Sequence, residues 1–175
     1  MCIALITAGA FVAIPIPGSP VPIVLQNMFV VFTGLVLSPL WAMLTVGVYL
    51  VLGAAGLPIF AGAAGGLAHF AGPTGGFLLG YVPAAGLTSL LLRVGRDDRR
   101  TAREAGLFHQ VLAIVPGFLI VYALGVPRLA VVTGLSISRT FWIGMAPFLP
   151  GDVIKTIALV ILLRSIPGSI WRSWS

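Results

Sequence analysis

Residues 148–163 read F-L-P-G-D-V-I-K-T-I-A-L-V-I-L-L. Beyond Lys155 and Thr156 the run is wholly apolar, which predicts a helix suited to hydrocarbon rather than to water. Lys155 is the only lysine in the chain and Asp152 one of four acidic residues, so their placement here is informative. Pro150 and Asp152 mark a helix N-terminus, where proline's missing N–H costs nothing and a carboxylate is favoured by the helix dipole. A lysine is not favoured at that end and needs another reason. Residues three apart share a helical face, so the pair points one way, with Thr156 beside it. Two readings follow. The pair is either a self-neutralising ion pair that keeps the helix end tolerable, or a polar contact to a ligand, the usual role of ionisable residues inside a membrane. An ammonium can hold a carboxylate or carbonyl, and a carboxylate can accept ring N–H groups.

The rest of the composition agrees with a bilayer. Of 175 residues 59% are hydrophobic and 8% charged, with a mean hydropathy of +1.12, whereas soluble domains carry about a quarter charged residues. Repeated Gly and Pro between apolar runs, without alternating strands, favour helices over a barrel. The net charge of +6 does not indicate nucleic acid, because Arg93, Arg96, Arg99, Arg100 and Arg103 share one short loop with Asp97, Asp98 and Glu104. Such a loop is typical of the cytoplasmic side of a membrane protein. The single cysteine, Cys2, excludes an intrachain disulfide, and with His69 and His109 far apart in the chain no metal site is expected.

Six apolar segments, at about 1–15, 23–38, 40–57, 77–92, 107–125 and 147–164, predict an all-α, single-domain membrane protein of six spans. No positive charge precedes the first apolar run, so it is read as a mature span rather than a signal peptide. With the N-terminus inside, seven arginines (93, 96, 99, 100, 103, 164 and 172) face the cytoplasm against Arg128 and Arg139 outside. Both termini are therefore expected to be cytoplasmic. Arg139 makes a further span over 129–146 costly, by about 2.5–3.5 kcal/mol. That stretch is expected to lie on the outer surface as an interfacial helix, with Trp142 at headgroup depth.

Two irregular loops fall on the same outer side. I-P-I-P-G-S-P-V-P-I (14–23) holds four prolines, and the stretch from Phe60 to Phe77 holds six glycines between Gly62 and Gly76. Irregular apolar backbone near a bilayer must be buried in protein or line a cavity. Together with the Asp152 helix start, these loops suggest a pocket. Gln26 and Asn27, which open the second helix, could supply amide hydrogen bonds to it or merely cap the helix. His69 is expected to be a loop hydrogen-bonder and His109 structural. The P-loop pattern is absent, but backbone N–H groups of the glycine loop could form an anion-cradling nest; tight packing and turning explain the same glycines. Ala4, Ala8, Gly9 and Ala13 give the first helix small residues four apart, which permits close helix approach. A binding subunit, a facilitator and a membrane enzyme all remain open, the last with Asp152 and Lys155 as its only plausible nucleophile or base.

P-V-P-I-V-L-Q-N (20–27), G-A-A-G-L-P-I-F-A-G (53–62), G-P-T-G-G-F (72–77) and P-G-D-V-I-K (150–155), in this order across essentially the whole chain, resemble the BioY family, the biotin-binding S components of energy-coupling-factor (ECF) vitamin transporters. The resemblance implies a six-helix, multi-pass protein of the cell membrane that captures biotin from outside and is not an enzyme. It implies no cofactor, and partners in the form of a coupling transmembrane subunit and two ATPase subunits. It places Asp152 and Lys155 in the ligand site, with Gln26, Asn27, Gly65, Gly66, Gly75, Gly76 and Phe77 as further candidates, and makes Ala4 and Ala8 a partner-docking face. This chain departs from the pattern at Phe77, where Tyr is frequent, and at Ala64 and Leu78, where some relatives carry Asn and Arg. An S component for another small vitamin-like ligand, or a solitary facilitator without an ATPase partner, is the alternative.

Overall fold

The computed structural model describes residues 1–94 and 105–165. It is built almost wholly of helices: α1 (Cys2–Phe11), α2 (Gln26–Val36), α3 (Pro39–Ala54), α4 (Ala68–Ala71), α5 (Gly75–Arg93), α6 (Leu107–Thr133), α7 (Ile137–Gly144) and α8 (Leu149–Ser165), with a 3₁₀ turn at Ala146–Phe148. Gly75–Arg93, Leu107–Thr133 and the run Ile137–Ser165 are long and apolar enough to cross a membrane, whereas Cys2–Phe11, Gln26–Val36 and Pro39–Ala54 are shorter apolar helices. Leu44, Val48, Leu112, Val115, Ile157 and Ile161 are exposed on α3, α6 and α8. An apolar girdle of this kind marks a membrane protein.

Two spans depart from the expected limits. The first helix was expected over 1–15 but ends at Phe11, because Ile14 precedes a proline and is biased out of the helical region. There Ala13–Ile14 (β1) pairs antiparallel with Ile23–Val24 (β2), Ala13 opposite Val24. The helix expected over 107–125 runs instead to Thr133. Pro127 removes one helical donor without stopping the helix, and Arg128 one residue on donates from Nη2 to Ala71 O at 2.8 Å, so tertiary contact holds the extra turns in place. The stop comes at Gly134, whose φ of 68° is the left-handed conformation that glycine tolerates. α7 is the helix expected within 129–146; Arg139 N–H donates to the Ser136 hydroxyl, and Trp142 is 67% exposed.

α2 is the central helix. Nine of its eleven residues are buried, as expected of a helix that is apolar on every side. α5 and α6 pack most closely against each other: an added Cβ at Gly80 would lie 3.0 Å from Val121 Cα, an approach only small residues permit. The core divides in two. Tyr49, Phe60, Phe77, Tyr81, Tyr122 and Phe148 belong to an aromatic-rich cluster beside the first turn of α2. Val31, Phe32, Leu35, Ile114, Leu159 and Leu163 form a mainly aliphatic cluster along the remainder of α2.

Candidate functional site

The first turns of α2 and α8 meet, and their polar residues bind one another. Lys155 Nζ donates to Asp152 Oδ1 at 3.1 Å and to Asn27 Oδ1 at 3.0 Å. Asn27 Nδ2 donates to Asp152 Oδ1 at 3.4 Å, and the Tyr122 hydroxyl of α6 donates to Asp152 Oδ2. Asn27 suits this position because its amide accepts from an ammonium and donates to a carboxylate at once. Asp152 and Lys155 are only 6% and 4% exposed. Charges that deeply buried persist because each is paired and hydrogen-bonded. Beside them the Gln26 amide donates to the Tyr49 hydroxyl at 2.9 Å, which donates to Ile59 O at 2.7 Å. This relay ties α2, through α3, to the start of the glycine loop.

Gln26, Asn27, Tyr122 and Lys155 among them border a cavity of about 320 Å³, at the small end of the range for small-molecule sites, roughly 300–1,000 Å³. The proline loop contributes Pro20, Val21, Pro22 and Val24; the glycine loop Phe60, Ala61, His69, Pro73 and Thr74; the helices Gln26, Asn27, Phe77, Leu78, Tyr81, Val121, Tyr122 and Lys155; and the 3₁₀ turn Phe148. Ring contacts stiffen two walls. Phe60 meets Tyr49 edge-on at 5.7 Å and Phe70 at 5.8 Å, and Phe77 meets Tyr122 at 6.3 Å. Glycines seat these rings, since a Cβ at Gly53 would overlap Phe60 and one at Gly125 would overlap Phe77.

The expected residues are sorted by this arrangement. Lys155, Gln26, Asn27 and Phe77 line the cavity. Asp152 does not; the pair neutralises itself, and its lysine lines the cavity with two of three N–H directions already taken. Thr156 turns back to Asp152 O at 2.7 Å instead of joining the pair. Gly65, Gly66, Gly75 and Gly76 are absent from the lining. A Cβ at Gly65 would strike Leu57, one at Gly75 Phe70 and one at Gly76 Leu124 and Arg128, while Gly66 has a φ of 100°. Geometry therefore favours packing and turning for these glycines. The His69 ring contacts Phe60 edge-on at 6.0 Å, and its side chain has no hydrogen bond to another described residue. His109 Nε2 lies 3.1 Å from Leu92 O, a structural contact. Ala4 and Ala8 are both exposed on α1, whereas Gly9 is buried with an added Cβ 2.6 Å from the Phe29 ring. The basic loop residues Arg96, Arg99, Arg100 and Arg103, with Arg172, lie outside the described residues.

Tyr49, Tyr81 and Tyr122 were missed in the sequence. Each is a tyrosine within an apolar helix, and nothing local distinguishes it from a core aromatic. Tyr81 lines the cavity, and its hydroxyl makes no hydrogen bond to another described residue. Among the described residues no group of three or more His, Cys, Asp and Glu could hold a metal.

An apolar helical assembly around a small cavity, with the lysine of a neutralised ion pair on its wall, defines a ligand-binding membrane protein. The family is BioY: its model matches residues 1–172, and the chain belongs to that family. A biotin transporter BioY from Thermotoga maritima is 39% identical, covering 92% of this chain and 89% of its own length. One from Rhodobacter capsulatus is 38% identical, covering 93% and 87%. A probable biotin transporter BioY from Pyrococcus horikoshii is 35% identical, covering 95% and 92%. The crystal structure of the S-component for biotin from an ECF-type ABC transporter superposes with a TM-score of 0.82 at 30% identity, covering 93% of this chain and 85% of that one.

Proposed function

We propose that this chain is the biotin-binding S component of an ECF transporter, a carrier subunit of the cell membrane that takes biotin from the outer side and relies on a coupling subunit and two ATPases for energy. The observation that carries the reading is that Lys155, Asn27 and Tyr122, tied together by Asp152, line a small aromatic cavity. Biotin's ureido group offers two N–H donors and a carbonyl, and its fused rings are apolar. Lys155 is a donor for the carbonyl, the Tyr81 hydroxyl and Gln26 are partners for the N–H groups, and Asp152 holds Lys155 and Tyr122 in place. α1, α2, α3, α5, α6 and α8 are the six spans, with both termini cytoplasmic. Arg93 and Arg164 support this orientation, since each ends a helix whose opposite end meets the cavity. The exposed Ala4 and Ala8 are the face for the coupling subunit.

Titration of the purified, detergent-solubilised chain with biotin tests the site. Asp152→Asn and Lys155→Ala are each expected to weaken binding at least tenfold, about 1.4 kcal/mol. Normal affinity in both, with folding intact, removes the pair from the site; no binding by a folded wild type removes biotin.

A further inference from the structure

The described residues that line the cavity give it no net fixed charge. Among the residues that line it, Lys155 alone carries a permanent charge, and Asp152 neutralises it at 3.1 Å. Asn27 and Tyr122 occupy the same pair, so neither charge is spare. The lining from the two outer loops consists of prolines, Val21, Val24, Phe60, Ala61, His69 and Thr74, with no arginine, lysine or carboxylate. Arg128, a neighbouring described cation, donates from Nη2 to Ala71 O at 2.8 Å and is absent from the cavity lining, its buried Nε without a hydrogen-bond partner among the described residues. Leu78 occupies the first turn of α5 at the wall, where a longer basic side chain would have supplied a cation.

A carboxylate drawn fully into such a space would be a buried charge without a counter-ion, which is costly. Competing for Lys155 would strip Asp152 of its partner and move the same cost elsewhere. A ligand with a polar ring system at one end and an acid at the other is therefore better accommodated with its rings at the Lys155 wall and its acid in water at the mouth. A carboxylate left in water gains little from the protein, and its removal loses little.

We infer that this pocket reads its ligand through the polar ring system alone and accepts the tail whether or not it is charged, so that neutral amide and ester conjugates of the ligand are bound as well as the free acid. The inference rests on the biotin reading above and deepens it: the ligand class is widened to tail-conjugated biotin, including the amide through which biotin is joined to lysine.

Parallel titrations of the wild-type chain in detergent with biotin, its primary amide and its methyl ester test this. The three dissociation constants are expected to agree within about threefold. An acid that binds tenfold or more tightly than both neutral forms overturns the inference while leaving biotin as the ligand, for it would require a cation on the tail that the cavity lining lacks. Binding of none of the three by a folded chain removes this inference together with the reading it rests on.

Discussion

The two halves of α2 face different surroundings. Its first turn, Gln26 and Asn27, meets rings and hydroxyls that span an open space. Val31, Phe32, Leu35 and Val36 farther along join Ile114, Leu159 and Leu163 in a mainly aliphatic cluster. Rings held edge to edge, each seated on a glycine or tied by a hydroxyl, prop a cavity open. Branched aliphatic chains interdigitate and close. One helix thus serves as the wall of a binding site and as the centre of a close-packed core. The difference implies that function and stability can be injured separately, and three substitutions ordered by their effect on binding test that.

Gly125→Val is expected to do the most damage to binding among the three. A Cβ there overlaps the Phe77 ring, and Phe77 has Tyr122 edge-on at 6.3 Å and the cavity before it. Overpacking of this kind costs about 1–3 kcal/mol. Because the ring can yield most easily into the empty space, most of that cost should fall on the ligand. Biotin affinity by titration is expected to fall at least tenfold, with the elution profile of a folded chain retained. An unchanged affinity would mean that the aromatic wall is soft and that the contrast between the two halves of α2 is overdrawn.

Tyr122→Phe removes one donor from Asp152 and leaves Lys155 and Asn27 in place. A hydrogen bond to a charged group is worth about 1.5–3 kcal/mol, part of which the remaining partners recover by closing in. Affinity is expected to fall about three- to tenfold, measured by the same titration. A loss as large as that of Lys155→Ala would promote Tyr122 from a positioning residue to a direct contact.

Tyr122 also marks the limit of what the sequence discloses. The charged pair on α8 was legible because ionisable residues in an apolar run have few explanations, and the two irregular loops because proline and glycine concentrate there. Helix faces were not legible: α2, α5 and α6 are apolar nearly all round, so periodicity cannot tell a tyrosine on a cavity wall from one in a core. The glycines were visible as a group, but whether each lines or packs depends on a neighbour distant or hidden in the chain, such as Leu124 for Gly76. The far end of α6 was missed because Pro127 and Arg128 resemble a stop, and only the contact from Arg128 to Ala71 across the fold shows otherwise.

Leu159→Ala is expected to leave binding unchanged. Leu159 is fully buried in the aliphatic cluster, one turn beyond Lys155 on α8 and on the same helical face. Deleting it opens a hole beneath the site. In water such a change costs about 2–5 kcal/mol; in a bilayer, where hydrocarbon outside is as apolar as the core, the loss is chiefly of packing, and the lower end, about 2 kcal/mol, is expected. The melting temperature should fall accordingly, while the biotin dissociation constant of the folded fraction stays within about twofold. Lys155 is held by Asp152 and Asn27, whose hydrogen bonds do not pass through Leu159. A shift in affinity that tracks the loss of stability would show α8 acting as one rigid lever from core to site, and the two regions would then have to be treated as one.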